Sequence, residues 1–163
     1  MLGVLAGCAP ISNEFPPACP RTGTLGDATD ITRYRAGGRD LTDMVLDGRI
    51  TGVFGSCTKS DRRTLEVSVA VSMQLVRGPA AGGEPVSVPF FIAVSRDGQV
   101  LDKQVYRVTP GFDANSSTVR VTSDPITLSL PIGRDTIGSA YDVVVGFQLT
   151  PEEVATNRRR GPR

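Results

Sequence analysis

Thr64-Leu65-Glu66-Val67-Ser68-Val69-Ala70-Val71-Ser72-Met73-Gln74-Leu75-Val76 carries the clearest structural signal in the chain. Leu65, Val67, Val69, Val71, Met73 and Leu75 hold the odd positions; Glu66, Ser68, Ala70, Ser72 and Gln74 hold the even ones. Successive side chains of a strand point to opposite faces, so this period of two predicts one buried face and one wet face. A half-wet strand belongs to an antiparallel sheet, because parallel strands are covered on both sides.

Further strands follow on the C-terminal side. Thr58 to Arg63 is a polar turn before the central strand, and the Gly- and Pro-rich Arg77 to Pro85 is a loop after it. That loop lacks the Gly-Lys-Ser/Thr ending of a phosphate loop, which excludes this mode of nucleotide binding. Val86 to Ser95 reads as a strand in which Pro89 marks a sheet edge or a bulge. Arg96-Asp97-Gly98-Gln99 predicts a tight hairpin, since Asp-Gly suits the positive φ angles of a type I′ turn, and Val100 to Thr109 returns antiparallel. In Thr118 to Leu130, Val119 and Val121 have one parity whereas Ile126, Leu128 and Leu130 have the other. The change at Asp124-Pro125 predicts a bulge or a switch between sheets. Ala140 to Leu149 alternates again, with Tyr141, Val143, Val145, Phe147 and Leu149 inward. Thr150-Pro151-Glu152-Glu153 then supplies an N-cap, a proline at the first helical position and a glutamate at the third, which predicts a short helix to about Arg159.

On the N-terminal side the pattern is weaker. Ile31 to Arg35 alternates and reads as a short edge strand ended by Gly37-Gly38, whereas Thr22 to Asp30 reads as a polar loop without a core of its own. Asp40, Asp43 and Asp47 fall at helical spacing, yet the segment leads into a bent strand from Met44 to about Cys57 with Gly48, Gly52 and Gly55 in it. Three aspartates invite comparison with a calcium loop, but the spacing and closing glutamate of an EF-hand are missing, so they read as turn and cap residues.

The whole chain of 163 residues carries 18 glycines, 12 prolines and a formal charge of +1. Turn residues spread along the length, with no sustained helical period, predict an all-β protein. Six or seven strands parted by short turns resemble an antiparallel immunoglobulin- or fibronectin-III-like β-sandwich over Ile31 to Leu149. The lack of tryptophan departs from antibody domains. A near-neutral charge gives no electrostatic case for nucleic acid. No second membrane element is expected, since no stretch holds 18 apolar residues in a row.

Leu5-Ala6-Gly7-Cys8 resembles a bacterial lipobox: a large aliphatic residue, two small residues and the cysteine that receives the lipid. The departure lies upstream, where Met1 to Val4 offers neither a positive segment nor a full apolar one. With Val145 to Glu152, this motif makes the chain similar to small envelope lipoproteins of alphaproteobacteria, from which no activity carries over. The resemblance implies residues 1–7 as the remnant of a signal peptide and acylated Cys8 as the anchor. It also implies an outer-membrane, periplasm-facing location, because Ala9 rather than Asp follows Cys8. The domain layout is then a Pro-rich tether over 8–21, a sandwich over 22–150, and a helix with a basic tail over 151–163. With Cys8 taken by lipid, Cys19 and Cys57 remain as an even pair in an oxidising compartment, a disulfide or else two reduced thiols.

Function is less legible. There is no histidine, the commonest general base. Asp142 and Glu66 are the carboxylates one would nominate for glycan cleavage, but both fall on outward strand positions, so no catalysis, cofactor or metal is expected. The leading expectation is a lipid-anchored accessory or structural protein contacting another envelope protein, by strand addition along the Val86–Ser95 edge or through the Arg tail. The alternative is a glycan- or peptidoglycan-binding module with Tyr34 and Phe112, and in second place Tyr106, as aromatic platforms. Arg158, Arg159, Arg160 and Arg163 are the candidate contact with anionic groups, with a solvated terminus as the plainer account.

Overall fold

A computed structural model describes residues 18–161. The lipobox, Cys8, most of the tether and Arg163 lie outside the described residues.

Among the described residues the protein is all-β, with two sheets facing one another and one short C-terminal α-helix. The strands are β1 (Arg21–Thr24), β2 (Asp30–Tyr34), β3 (Met44–Lys59), β4 (Thr64–Arg77), β5 (Val88–Arg96), β6 (Gln99–Val108), β7 (Thr118–Thr122), β8 (Ile126–Pro131) and β9 (Tyr141–Phe147), followed by α1 (Pro151–Arg160). One sheet has the order β1-β9-β5-β6; the other runs β2-β3-β4-β7, with β8 also paired to β4.

β4 behaves as its alternation requires. All six odd-numbered apolar residues from Leu65 to Leu75 are buried, and they meet Phe90, Ile92 and Val94 of β5 and Tyr141, Val143, Val145 and Phe147 of β9 in one core. The parity change after Val121 is a bulge. Ser72 faces Thr122 and Val69 faces Ile126, so three steps along β4 span four along its partner. The extra residue returns Ile126, Leu128 and Leu130 to the same face as Val119 and Val121. Ser123 bridges the gap, its Oγ accepting the Val71 N–H at 3.1 Å and its own N–H donating to the Val71 carbonyl at 2.9 Å. The Asp97-Gly98 hairpin forms as expected, with φ of 53° and 76°.

Two expectations are overturned. Val86–Ser95 is not an edge: β5 lies between β9 and β6. Val88 to Val94 is buried throughout because its outward face is covered as well, Phe91 and Ala93 packing with Ala28 and Leu149. An unbroken apolar run signals a strand covered on both sides, and it outweighs the proline. Pro89 sits one residue from the strand's start, where its carbonyl accepts the Gln148 N–H at 3.0 Å. The second concerns Arg21–Thr24, read as tether and loop. It is a fully exposed strand lying parallel to β9, held by the Cys19–Cys57 disulfide (Cα–Cα 5.7 Å) and by Arg21 Nε donating to Asp142 at 2.8 Å. Nothing apolar marks it, so tertiary pairing alone makes it a strand.

Candidate functional site

β2 runs along one edge of its sheet, and its end builds one wall of an open cleft. A register shift between Arg33 and Tyr34 turns the chain outward, and Gly37 at φ 78° lets it reverse. The Arg35 N–H donates to the Asp43 carbonyl at 2.9 Å and the Gly38 N–H to the Arg35 carbonyl at 2.9 Å, closing the loop. Asp43 also pairs with the Arg35 guanidinium. Partial removal from water raises the Asp43 pKa, but that pairing and the backbone N–H donors of Asp40 and Arg39 outweigh it and hold the carboxyl below its ordinary value.

The facing wall is α1. Its start is the expected capping box: Thr150 Oγ1 accepts the Glu153 N–H at 3.2 Å, and Glu153 Oε2 accepts the Thr150 N–H at 2.7 Å. Glu153 Oε1 also accepts from Arg33 Nε at 3.0 Å, tying the helix to β2. One turn on, Asn157 Nδ2 donates to the carbonyls of Asp27 at 2.9 Å and Asp30 at 2.8 Å. The cleft between loop and helix has a volume of about 810 Å³, and Tyr34, Arg35, Arg39, Glu152, Thr156 and Arg159 are among its lining residues. That volume is within the range of small-molecule sites, about 300–1000 Å³. Its groups suit binding: planar donor forks, hydroxyls and an aromatic ring.

The sequence candidates are distributed as follows. Tyr34 and Arg159, far apart in the chain, line the same cleft. Phe112 is elsewhere, packed against the core with the Arg77 guanidinium 5.2 Å above its ring. Tyr106 packs on Phe90 with ring centroids 5.6 Å apart. The basic tail is docked: Arg158 Nε reaches Asp27 at 2.7 Å and Arg160 Nη1 reaches Thr32 Oγ1 at 3.3 Å, while Arg159 Nη2 donates to Thr156 Oγ1 at 3.1 Å. Asp40, Asp43 and Asp47 take separate jobs, with Asp40 preceding the Leu41–Asp43 turn and Asp47 accepting from Thr32 Oγ1 at 2.7 Å. Among the described residues no three metal-ligating side chains come together, and no helix is long and apolar enough to cross a membrane.

Arg33, Arg35, Arg39 and Glu152 were not singled out by sequence, although Arg33-Tyr34-Arg35 beside a double glycine hints at an exposed ligand-facing strand end. A second surface was also missed. β6 is an edge strand, exposed from Gln99 to Val105, and Val100, Leu101 and Val105 are 66%, 51% and 48% exposed. Val100 and Val105 face Ser95 and Phe91, which share the outward face of the sheet. No family model, curated protein or solved structure matches this chain.

Proposed function

We propose that the protein is a non-catalytic accessory protein of the bacterial cell envelope, held to the membrane by an acyl chain on Cys8 and docking a partner protein by strand addition along β6. The observation that carries the docking is the ten-residue edge, unpaired among the described residues, with three exposed apolar side chains. An edge strand presents a row of unpaired backbone groups that another strand can pair with, and charged side chains along it restrict which strands do so. β6 carries Lys103 and Arg107 on its outward face, opposite Ala93 and Pro89, so it favours an extended segment with apolar and acidic residues in alternation. A second copy of β6 is the poorer occupant, because its outward face repeats the positive charges of Lys103 and Arg107 instead of complementing them. The lipid on Cys8 would confine the search to the membrane surface and raise the partner's effective concentration. The sandwich is read as immunoglobulin- or fibronectin-III-like on its two-sheet layering, a likeness that assigns no function.

The test is expression in an alphaproteobacterial envelope, intact-mass analysis of the product, and recovery in mild detergent. The expected result is an acylated Cys8 and a stoichiometric partner that is lost in Val100→Lys/Val105→Lys protein of unchanged thermal stability. An acylated protein recovered alone removes the partner, and an unmodified Cys8 removes the anchor.

A further inference from the structure

The geometry points to a second binding function: the cleft between the β2 end and α1 takes an acidic saccharide, a sugar chain bearing carboxylates. The electrostatic balance of the cleft is uneven. Arg33 is matched by Glu153 at 3.0 Å and Arg35 by Asp43. Arg39 has no carboxylate partner among the described residues, and Arg159 meets only the hydroxyl of Thr156. Among the described residues two exposed guanidiniums are therefore uncommitted to anions, on opposite walls of one cleft. A guanidinium fork matches a carboxylate in two parallel hydrogen bonds. Tyr34, half-buried on the β2 wall, adds an aromatic ring, and Thr156 and Glu152 add groups that hydrogen-bond hydroxyls.

The ligand class follows from that mixture. A simple inorganic anion needs the cations but leaves Tyr34 and the hydroxyl-bonding groups without a role. A neutral glycan uses those groups and leaves Arg39 and Arg159 unpaired. A polyanionic duplex would need a broad basic face, and here Glu152 and Glu153 stand among the arginines. The helix N-terminus contributes no anion site of its own, because the Glu153 carboxylate already occupies it through the Thr150 N–H. The walls are fixed before ligand arrives, by the Asn157 clamp on one side and the Arg35–Asp43 pair on the other. This site is independent of the β6 contact.

The experiment is calorimetric titration of the full chain with a trimer of α-1,4-linked galacturonic acid, with a neutral galactose trimer, inorganic phosphate and phosphatidylglycerol vesicles as separate arms. The expected result is saturable binding of the acidic trimer with a dissociation constant of about 1 mM or tighter, and none for the neutral trimer or phosphate. Arg39→Gln and Arg159→Gln each weaken it about tenfold, as does Tyr34→Ala, whereas Tyr34→Phe keeps it. The three positions line an open cleft, so the thermal midpoint stays unchanged and reports that the fold is intact. Equal binding of both trimers, phosphate binding as tight as the acidic trimer, or affinity indifferent to the two arginine variants overturns the proposal. Vesicle binding without trimer binding overturns it in favour of a membrane contact.

Discussion

Asp43 holds the loop behind the cleft through Arg35, and that ion pair sets the acid response of the loop. Its carboxyl titrates below the ordinary 3.8 in the folded protein, so the folded state binds fewer protons than the unfolded chain through that range. The stabilisation is therefore present above the unfolded value and disappears as pH falls through the folded one. Asp43→Asn protein should melt below the wild type near neutral pH, and the two should converge as pH falls from 3.8 through the lower folded-state value. Melting curves from pH 2.5 to 7 check this, and a gap that stays constant into acid would contradict it. Gly48 poses a packing question at the same scale. A Cβ there would lie 2.7 Å from Leu75 Cδ2 and 2.9 Å from Ile31 Cγ2, both on fully buried side chains. Gly48→Ala should cost roughly 1–3 kcal/mol by overpacking, despite the better strand propensity of alanine. Chemical denaturation measures it, and a stabilised variant would show that the two sheets separate more easily than this core implies.

At the scale of elements, α1 is a strut rather than a tail. Its ten residues are too few to be helical alone, so its stability comes from docking. Asn157 is the centre of that docking, satisfying two carbonyls in the β2 entry at once. Asn157→Ala should cost about 1–3 kcal/mol and raise hydrogen exchange across α1 and the Gly26–Ala28 turn, leaving β4 protected. Uniform loss of protection would mean that the helix and sandwich unfold as one unit. The β7–β8 bulge is the other element-scale device. It lets one edge of β4 carry two short strands of opposite parity without exposing either apolar set, with Ser123 completing the ladder where the register slips.

For the whole molecule, the Cys19–Cys57 bridge joins the entering chain to the far end of β3 across a separation of 38 residues. Closing a loop of that length removes unfolded-state entropy worth roughly 4 kcal/mol in the chain-entropy model. Reduction, or the Cys19→Ser/Cys57→Ser pair, should lower stability by about that amount and release β1 first, since its four residues are exposed and bury no apolar side chain. Denaturant titration with and without reductant tests the size. Exchange at Arg21–Thr24 tests the order, and β1 amides that stay protected after reduction would place its anchorage in the β9 pairing instead.

Features that depend on local periodicity and turn chemistry could be read from the chain before any folding. β4, β9, the Asp97-Gly98 hairpin, the bulge before Ile126 and the capping box at Thr150 each announce themselves within a dozen residues. For Cys19 and Cys57 the sequence left a bridge and two free thiols both open, and the structure closes the bridge. Tertiary structure decided what depends on neighbours. β5 became a central strand because β9, β6 and the Ala28 turn cover it, and β6 became the edge in its place. Polar Arg21–Thr24 became a strand because β9 offered it a partner. Tyr34 and Arg159 met in one cleft because α1 folds back across β2, while Phe112 was drawn away under Arg77. Periodicity reports which face of a strand is buried, but the identity of the strand alongside is a long-range choice, settled by which edges and apolar faces find one another when the sheets close.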